Sequence, residues 1–415
     1  VSSSFLLVAF IVYCIAMLGF VIGITGQKSV QVTDPESYGR RWGKIGLGLT
    51  IIGFLSHVTF FFTRWAEAGH IPTSNMFEFM TFLGMMIVLA FIVLYLIYRT
   101  QALGVFALPL AIIMIGYASV FPQEIQPLIP ALQSYWLKIH VTTAALGEAF
   151  FAVGFAAGIM YLLQSVNFEG TSRSERREQR GVEFTLFTLL IIIAFVGAIF
   201  SFKAAGYQAV YVQQEKYLDE NNVEQIVMNE SEYVLPPIVK PYQSEQLEMK
   251  PFLGMTQPLF EAPSWMEGVN SGRKLNTVIW SILLGTILYV LFRLIARKPL
   301  GQALQPLMKG IDPDDVDEIG YRSIAIGYPI FTLGALIFAM IWAEKAWGRF
   351  WGWDPKEVWA LIVWLFYAAY LHFRLSRGWQ GKKSAWLSVI GFLVVMFTLV
   401  GVNLVIAGLH SYSGT

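Results

Sequence analysis

The chain has 415 residues, 56% of them hydrophobic and only 14% charged, with a mean hydropathy of +0.57. That composition is too apolar for a soluble domain of this length. The formal net charge of +1 leaves no electrostatic footprint for nucleic acid, and the single cysteine, Cys14, excludes an internal disulfide and a CxxC redox pair. Thiol chemistry, if any, needs a thiol-reducing partner.

A helix crosses the hydrocarbon with roughly 20 apolar residues. About ten runs satisfy this, near 4–25, 44–64, 76–98, 102–121, 138–163, 183–202, 275–296, 321–343, 357–375 and 385–409. No small-residue cleavage pattern follows the first run, so it reads as a retained span rather than a signal peptide. His57 lies inside the second span. The following loop, Gly69-His70-Ile71-Pro72-Thr73-Ser74-Asn75, is stiffened by Pro72, and Asn75 is placed to cap the third span. Lys138-Ile139-His140 opens the fifth span, and Glu148 follows on the same helical face. Residues 203–274 are long and polar, with the Pro236-Pro237 pair, and read as an inserted outer domain. Tyr211-Val212 and Tyr233-Val234-Leu235 are its candidate strands.

Arginine and lysine set the sidedness. The clusters at Arg40-Arg41-Lys44, Arg99, Arg173 to Arg180, Arg297 to Lys309 and Arg374 to Lys383 fall on one face when the spans alternate. That face is cytoplasmic by the positive-inside rule. Both termini, His70, His140, His410 and the segment between the eighth and ninth spans then lie outside.

That segment is the most informative in the chain: Trp347-Gly348-Arg349-Phe350-Trp351-Gly352-Trp353-Asp354-Pro355-Lys356-Glu357-Val358-Trp359. Asp354, Pro355 and Glu357 form a helix start, with aspartate at N-cap, proline at N1 and glutamate at N3. Capping leaves Trp347, Trp351 and Trp353 unexplained. An interfacial aromatic belt would spread tryptophan over both faces; Trp42, Trp65, Trp136, Trp265, Trp280, Trp379 and Trp386 suit that role. The cluster instead suits a shelf for a planar, mostly apolar ligand with charged edges, such as haem. Arg349, Lys345 and Lys356 are cations in place for its carboxylates. Histidine is a common ligand to haem iron. His140 and His410 flank the shelf's height, while His372 lies deep in the ninth span, where an ionisable residue marks function.

The run resembles the tryptophan-rich WWD signature of haem-handling membrane proteins. Trp359 to Trp364, then Tyr370-Leu371-His372-Phe373-Arg374, and the ending Gly408-Leu409-His410-Ser411-Tyr412 are similar to the CcsA/ResC type of cytochrome c biogenesis protein. The His70 loop resembles that family's GHxPxSNxYE element, with Phe77 where tyrosine is usual. The resemblance covers about residues 44–163 and 321–412 and leaves the insert outside it.

The fold expected is an all-α polytopic membrane protein of about ten transmembrane helices with a small extracytoplasmic insert. Its expected division is a six-span bundle (1–202), the insert (203–274) and a four-span bundle (275–415) with a haem shelf at 344–359. The resemblance implies haem delivery for covalent attachment to apocytochrome c on the extracytoplasmic face of a bacterial cytoplasmic membrane. The chain would be one subunit of a System II cytochrome c synthase (haem lyase) complex. It implies haem b as cofactor, with the iron on His140 and His410. A second, inner haem iron falls to His372, opposite either His57 or a residue of another subunit. Trp347, Trp351, Trp353, Asp354 and Arg349 are the expected shelf. His70 is expected to be a wall of the outer site rather than an iron ligand. The implied partners are a ResB/CcsB-like membrane subunit and an apocytochrome carrying CxxCH. A haem-containing quinol oxidoreductase subunit would pair histidines within spans and needs no tryptophan shelf. A solute transporter would place polar pairs at the midplane, and few such residues occur. System I haem-handling proteins are a nearer alternative, against which the His372 and His410 motifs argue.

Overall fold

The computed structural model describes residues 2–27, 34–125, 133–218, 224–266 and 270–402. His410 and the motif around it lie outside the described residues. The described chain is mostly helical: α1 (Ser2–Gly26), α2 (Pro35–Ala68), α3 (Met76–Tyr98), α4 (Gln101–Ala118), α5 (Tyr135–Ser165) and α6 (Arg173–Ala204) precede the insert. After it come α7 (Ser271–Ala296), the short α8 (Leu300–Leu304), α9 (Pro313–Phe331), α10 (Ala339–Trp347), α11 (Pro355–Ser376) and α12 (Lys382–Met396). Among the described residues, ten helices are long and apolar enough to cross a membrane, counting Pro313–Trp347 and Lys382–Val402 as continuous. The chain is a multi-pass membrane protein, as its composition implies.

Several helices depart from the expected spans: α6 starts at Arg173 rather than near 183, and the last described span ends in a π segment, Phe397–Val402. The second span begins well before residue 44, because the Asp34 carboxylate accepts from the Ser37 amide and Pro35 supplies a preset φ at the first turn. The eighth is not a plain α-helix. Between α9 and α10 the backbone widens into a π segment, Thr332–Phe338. Pro329, inside α9, has no amide to continue the ladder, which favours such an irregularity.

The described residues form two compact units, one of residues up to Val182 together with those from Gly301 onward, the other of Glu183–Leu300. In the first, α5 is the central element, packing on α3, α4, α9, α12 and the π segment. With lipid outside, close packing rather than water exclusion joins the helices, so small residues sit where backbones approach. A methyl group on Gly147 would lie 2.7 Å from the Phe331 backbone, and one on Gly327 2.9 Å from the Gly147 carbonyl. On Gly334 it would run into the Ala144 backbone. Gly320, Gly327 and Gly334 recur every seven residues, two helical turns, and so form one seam against α5.

The second unit contains the insert. Strands β1 (Ala209–Leu218), β2 (Glu224–Tyr233) and β4 (Ser244–Met249) form an antiparallel sheet in the order β2-β1-β4. Short β3 (Val239–Lys240) pairs in parallel with β5 (Phe260–Glu261). Tyr211 and Tyr233 are fully buried and meet edge to face at 5.2 Å. Val234 and Leu235 lie beyond the strand end. The Pro236-Pro237 pair is anchored to α7: Asn276 Oδ1 accepts from the Ile238 amide at 2.8 Å, and Trp280 Nε1 donates to the Pro236 carbonyl at 2.6 Å. Trp280 is therefore a core residue holding the insert to its helix, not a member of an interfacial belt.

Candidate haem site

His140 stands in the first turns of α5, half-buried. Its Nδ1 donates to the carbonyl of Gly334 at 2.9 Å. Gly334 lies in the π segment, where its carbonyl also accepts from the Ala339 amide, so one oxygen serves both donors. The bond fixes the ring orientation. In the neutral imidazole it leaves the lone pair on Nε2, the arrangement usual for a metal-binding histidine. Trp342, on α10, lies nearly parallel to the imidazole, with centroids 5.9 Å apart and planes 12° apart. Trp342 in turn meets Trp347 edge to face at 6.2 Å. A chain of rings thus runs from the histidine to the tryptophan-rich segment.

Gly348 ends α10 with φ 67°. At the other end Asp354 caps α11 as its residue pattern predicts: its carboxylate accepts from the Lys356 amide at 2.9 Å, and Glu357 Oε2 accepts from the amides of Gly352 and Asp354 at 2.7 and 3.2 Å. Asp354 is buried. Between these caps Trp353 is held at φ 58°, a left-handed conformation that strains a bulky side chain, and its ring is 69% exposed. Trp351 meets Trp353 edge to face at 5.9 Å. Its Nε1 is buried without a hydrogen-bond partner among the described residues, so an acceptor on a ligand would satisfy it. The Arg349 guanidinium is exposed and lies against Gly352. One oriented imidazole, exposed aromatic faces, an indole donor unmatched among the described residues and an exposed cation fit a planar apolar ring with carboxylate edges.

His70 hydrogen-bonds locally, its Nδ1 3.0 Å from the Ile71 carbonyl oxygen. Asn75 caps α3 as expected, accepting from the Glu78 amide at 2.9 Å. Beneath this loop is a network that the sequence reading did not single out. Buried Arg64 donates through Nε to Glu78 at 2.9 Å and through Nη2 to the Gln123 carbonyl at 2.8 Å. Glu78 also accepts from the amide and hydroxyl of Ser74. The signal was present: two opposite charges, each at the end of an apolar run. Gly334 and Trp342 were likewise missed, because they fall inside what reads as an unbroken span.

The inner histidines are not brought together. His57 is buried, its Nδ1 3.4 Å from the Tyr13 hydroxyl and its ring beside Phe60. His372 is exposed on α11, beside Phe373. α2 packs on α1 and α3, whereas α11 packs on α9 and α12. Two residues on, Arg374 pairs with Asp317 of α9 at 2.6 Å, which sets the rotation of α11 and with it the outward face of His372. Glu148, on α5, is buried with Oε2 unpartnered among the described residues and feels the charge of Lys356 from the first turn of α11.

Residues 73–228 and 275–410 match the family described as "Cytochrome C assembly protein". The chain is 30% identical to the "Cytochrome c biogenesis protein CcsA" of Nostoc sp. (strain PCC 7120), over 89% of this chain and 88% of the relative. It is 30% identical to the protein of the same description from Synechococcus sp. (strain JA-3-3Ab), over 98% and 93% of the two chains. For that of Gloeobacter violaceus the identity is 29%, over 89% and 86%.

Proposed function

We propose, from the premise that this chain belongs to the cytochrome C assembly protein family, that it presents haem b on the extracytoplasmic face for attachment to apocytochrome c. A role in cytochrome c biogenesis and haem handling comes with the family; the site and the route are our reading. The observation that carries it is the His140 imidazole, held by the Gly334 carbonyl and lying along Trp342.

In this reading His140 Nε2 and His410 hold the iron. Trp347, Trp351 and Trp353 support the ring, Arg349 faces a carboxylate, and Asp354 shapes the shelf by capping α11. When bound, haem supplies two vinyl groups, across which the thiols of a reduced CxxCH segment add. The chain's own contribution is to hold, orient and shield. His140 and His410 would hold the group and keep it shielded until it is handed to the substrate. His372 serves an inner haem. Its exposed position supports a ligand supplied opposite it by a ResB-like subunit rather than by buried His57. The insert at 203–274 is proposed as extracytoplasmic, and the 344–359 shelf as part of the 275–415 bundle.

The test is the absorption spectrum of the purified protein. A low-spin b-type spectrum is expected. His140→Ala and His410→Ala should each lower haem retention or convert it to high spin, with partial rescue by added imidazole. Wild-type spectra from both variants would remove the ligand assignment.

A further inference from the structure

Before α6 enters its apolar stretch, Arg173, Arg176, Arg177 and Arg180 occupy positions i, i+3, i+4 and i+7. This spacing puts all four on one face. With Thr171 they line an open polar hollow of about 660 Å³. All four are exposed, and none forms an ion pair among the described residues, although acidic residues lie within reach in sequence. Glu178 is taken by Lys382 of α12 at 2.7 Å. Glu175 accepts from the Ser172 amide at 3.0 Å and from the Asn167 side chain at 2.9 Å. The Glu175 amide in turn donates to the Ser172 hydroxyl at 3.2 Å. The helix start is therefore already capped by its own side chains, and the positive field belongs to the arginines.

The neighbouring face of α6 packs on α12 and leaves the arginine stripe exposed. Gly181 abuts the Trp386 ring, and Glu178 is tied to Lys382, so α6 turns its small and acidic positions to α12. Like charges three and four residues apart repel on a helix. A lone topological signal needs positive charge near the membrane but does not require it on a single stripe. A stripe of guanidinium forks around a hollow matches oxyanions that accept two hydrogen bonds each. The apolar part of α6 follows directly, which puts the hollow at the depth of lipid headgroups.

We infer that the Arg173–Arg180 face of α6 is a binding site for the phosphate headgroup of an anionic phospholipid. The lipid phosphate, held between arginines of adjacent turns, screens their repulsion and fixes the depth at which α6 enters the bilayer. The inference stands apart from the haem site and needs no statement of which leaflet is involved.

Native mass spectrometry of the full-length protein, released from nanodiscs of phosphatidylcholine with phosphatidylglycerol, tests it. Wild type should retain phosphatidylglycerol over phosphatidylcholine. Neutralising Arg176 and Arg177 together (R176Q/R177Q) should weaken retention by about 5-fold per arginine, on the order of 25-fold in all. The charge-keeping R176K/R177K should hold the lipid, and its comparison with the glutamine variant separates lost binding from lost folding, with helicity measured by circular dichroism on both. Equal retention by wild type and the folded glutamine variant would overturn the inference. So would displacement of the lipid by millimolar inorganic phosphate, which would make the hollow a site for free anions.

Discussion

Asp354 answers two demands, and substitution separates them. As a cap, its carboxylate oxygen accepts from the Lys356 amide. Asparagine offers an equivalent acceptor and alanine none. Asp354→Asn is therefore expected to keep both helix and haem, while Asp354→Ala loses about 1 kcal/mol of stability and, through a frayed shelf, part of the haem. Thermal unfolding and the haem-to-protein absorbance ratio, measured on the same samples, check this. Haem loss in a fully stable Asp354→Asn protein would show that the carboxylate itself touches the ligand. Arg64 and Glu78 make a second residue-scale case. Their side chains are 5% and 0% exposed, so removing one partner strands a buried charge. Glu78→Leu alone should cost about 3–5 kcal/mol, and Arg64→Leu with Glu78→Leu much less. If the double variant is as unstable as the single one, the pair's value lies in its bonds to Ser74 and Gln123 rather than in charge neutralisation.

At the scale of elements, the π segment positions the proposed site. It puts the Gly334 carbonyl opposite His140 and lets α10 place Trp342 along the imidazole. Gly334 is fixed by packing, since any side chain there meets the Ala144 backbone. Gly334→Val should force the segment off α5, at an overpacking cost of about 1–3 kcal/mol. The haem spectrum should move toward high spin at expression near that of wild type. An unchanged low-spin spectrum would mean that the Gly334 carbonyl does not orient the ligand. Trp364 steadies the same segment, donating to the Thr332 hydroxyl at 3.0 Å and lying along Tyr328. None of this was readable as periodicity. A π segment uses the same apolar residues as an α-helix, and its signs are a proline at 329 and the heptad glycines at 320, 327 and 334.

Across the whole molecule, the sidedness and the partner are the claims to test. Reporter fusions after Arg99, Arg180, Lys309 and Lys383 should be active in the cytoplasm, and those near His70, Glu220 and Gly352 outside. One inverted loop would separate His70, His140 and the shelf, and with them the outer haem site. An apocytochrome needs surface on which to dock. A standard interface takes roughly 800 Å² per partner, and orienting two thiols against two vinyl groups adds a demand for precision that the proposed second subunit would meet. In the proposal, the exposed His372 is where that subunit would supply its ligand. Co-expression with a ResB-like subunit and a reporter apocytochrome, in a host without its own assembly system, should give mature cytochrome only when both are present. Equal maturation by this chain alone would end that proposal.

The sequence by itself determined the class of protein, the number of spans, the helix cap at Asp354 and the family. Each depends on local composition, or on residues near one another along the chain: an apolar run crosses a bilayer whatever its neighbours, and a capping box closes within four residues. The strands at Tyr211 and Tyr233 were half legible for the same reason, since aromatic and β-branched residues suit a pleated surface. Only the tertiary structure decided that His140 is oriented by a carbonyl 194 residues away, that Arg64 and Glu78 are one unit, and that His57 and His372 have separate surroundings. In lipid every helix face is apolar, so hydrophobic pattern carries no rotation signal. Which way each helix turns is set by small residues in contact and by a few polar bonds between distant segments, such as Arg374 to Asp317.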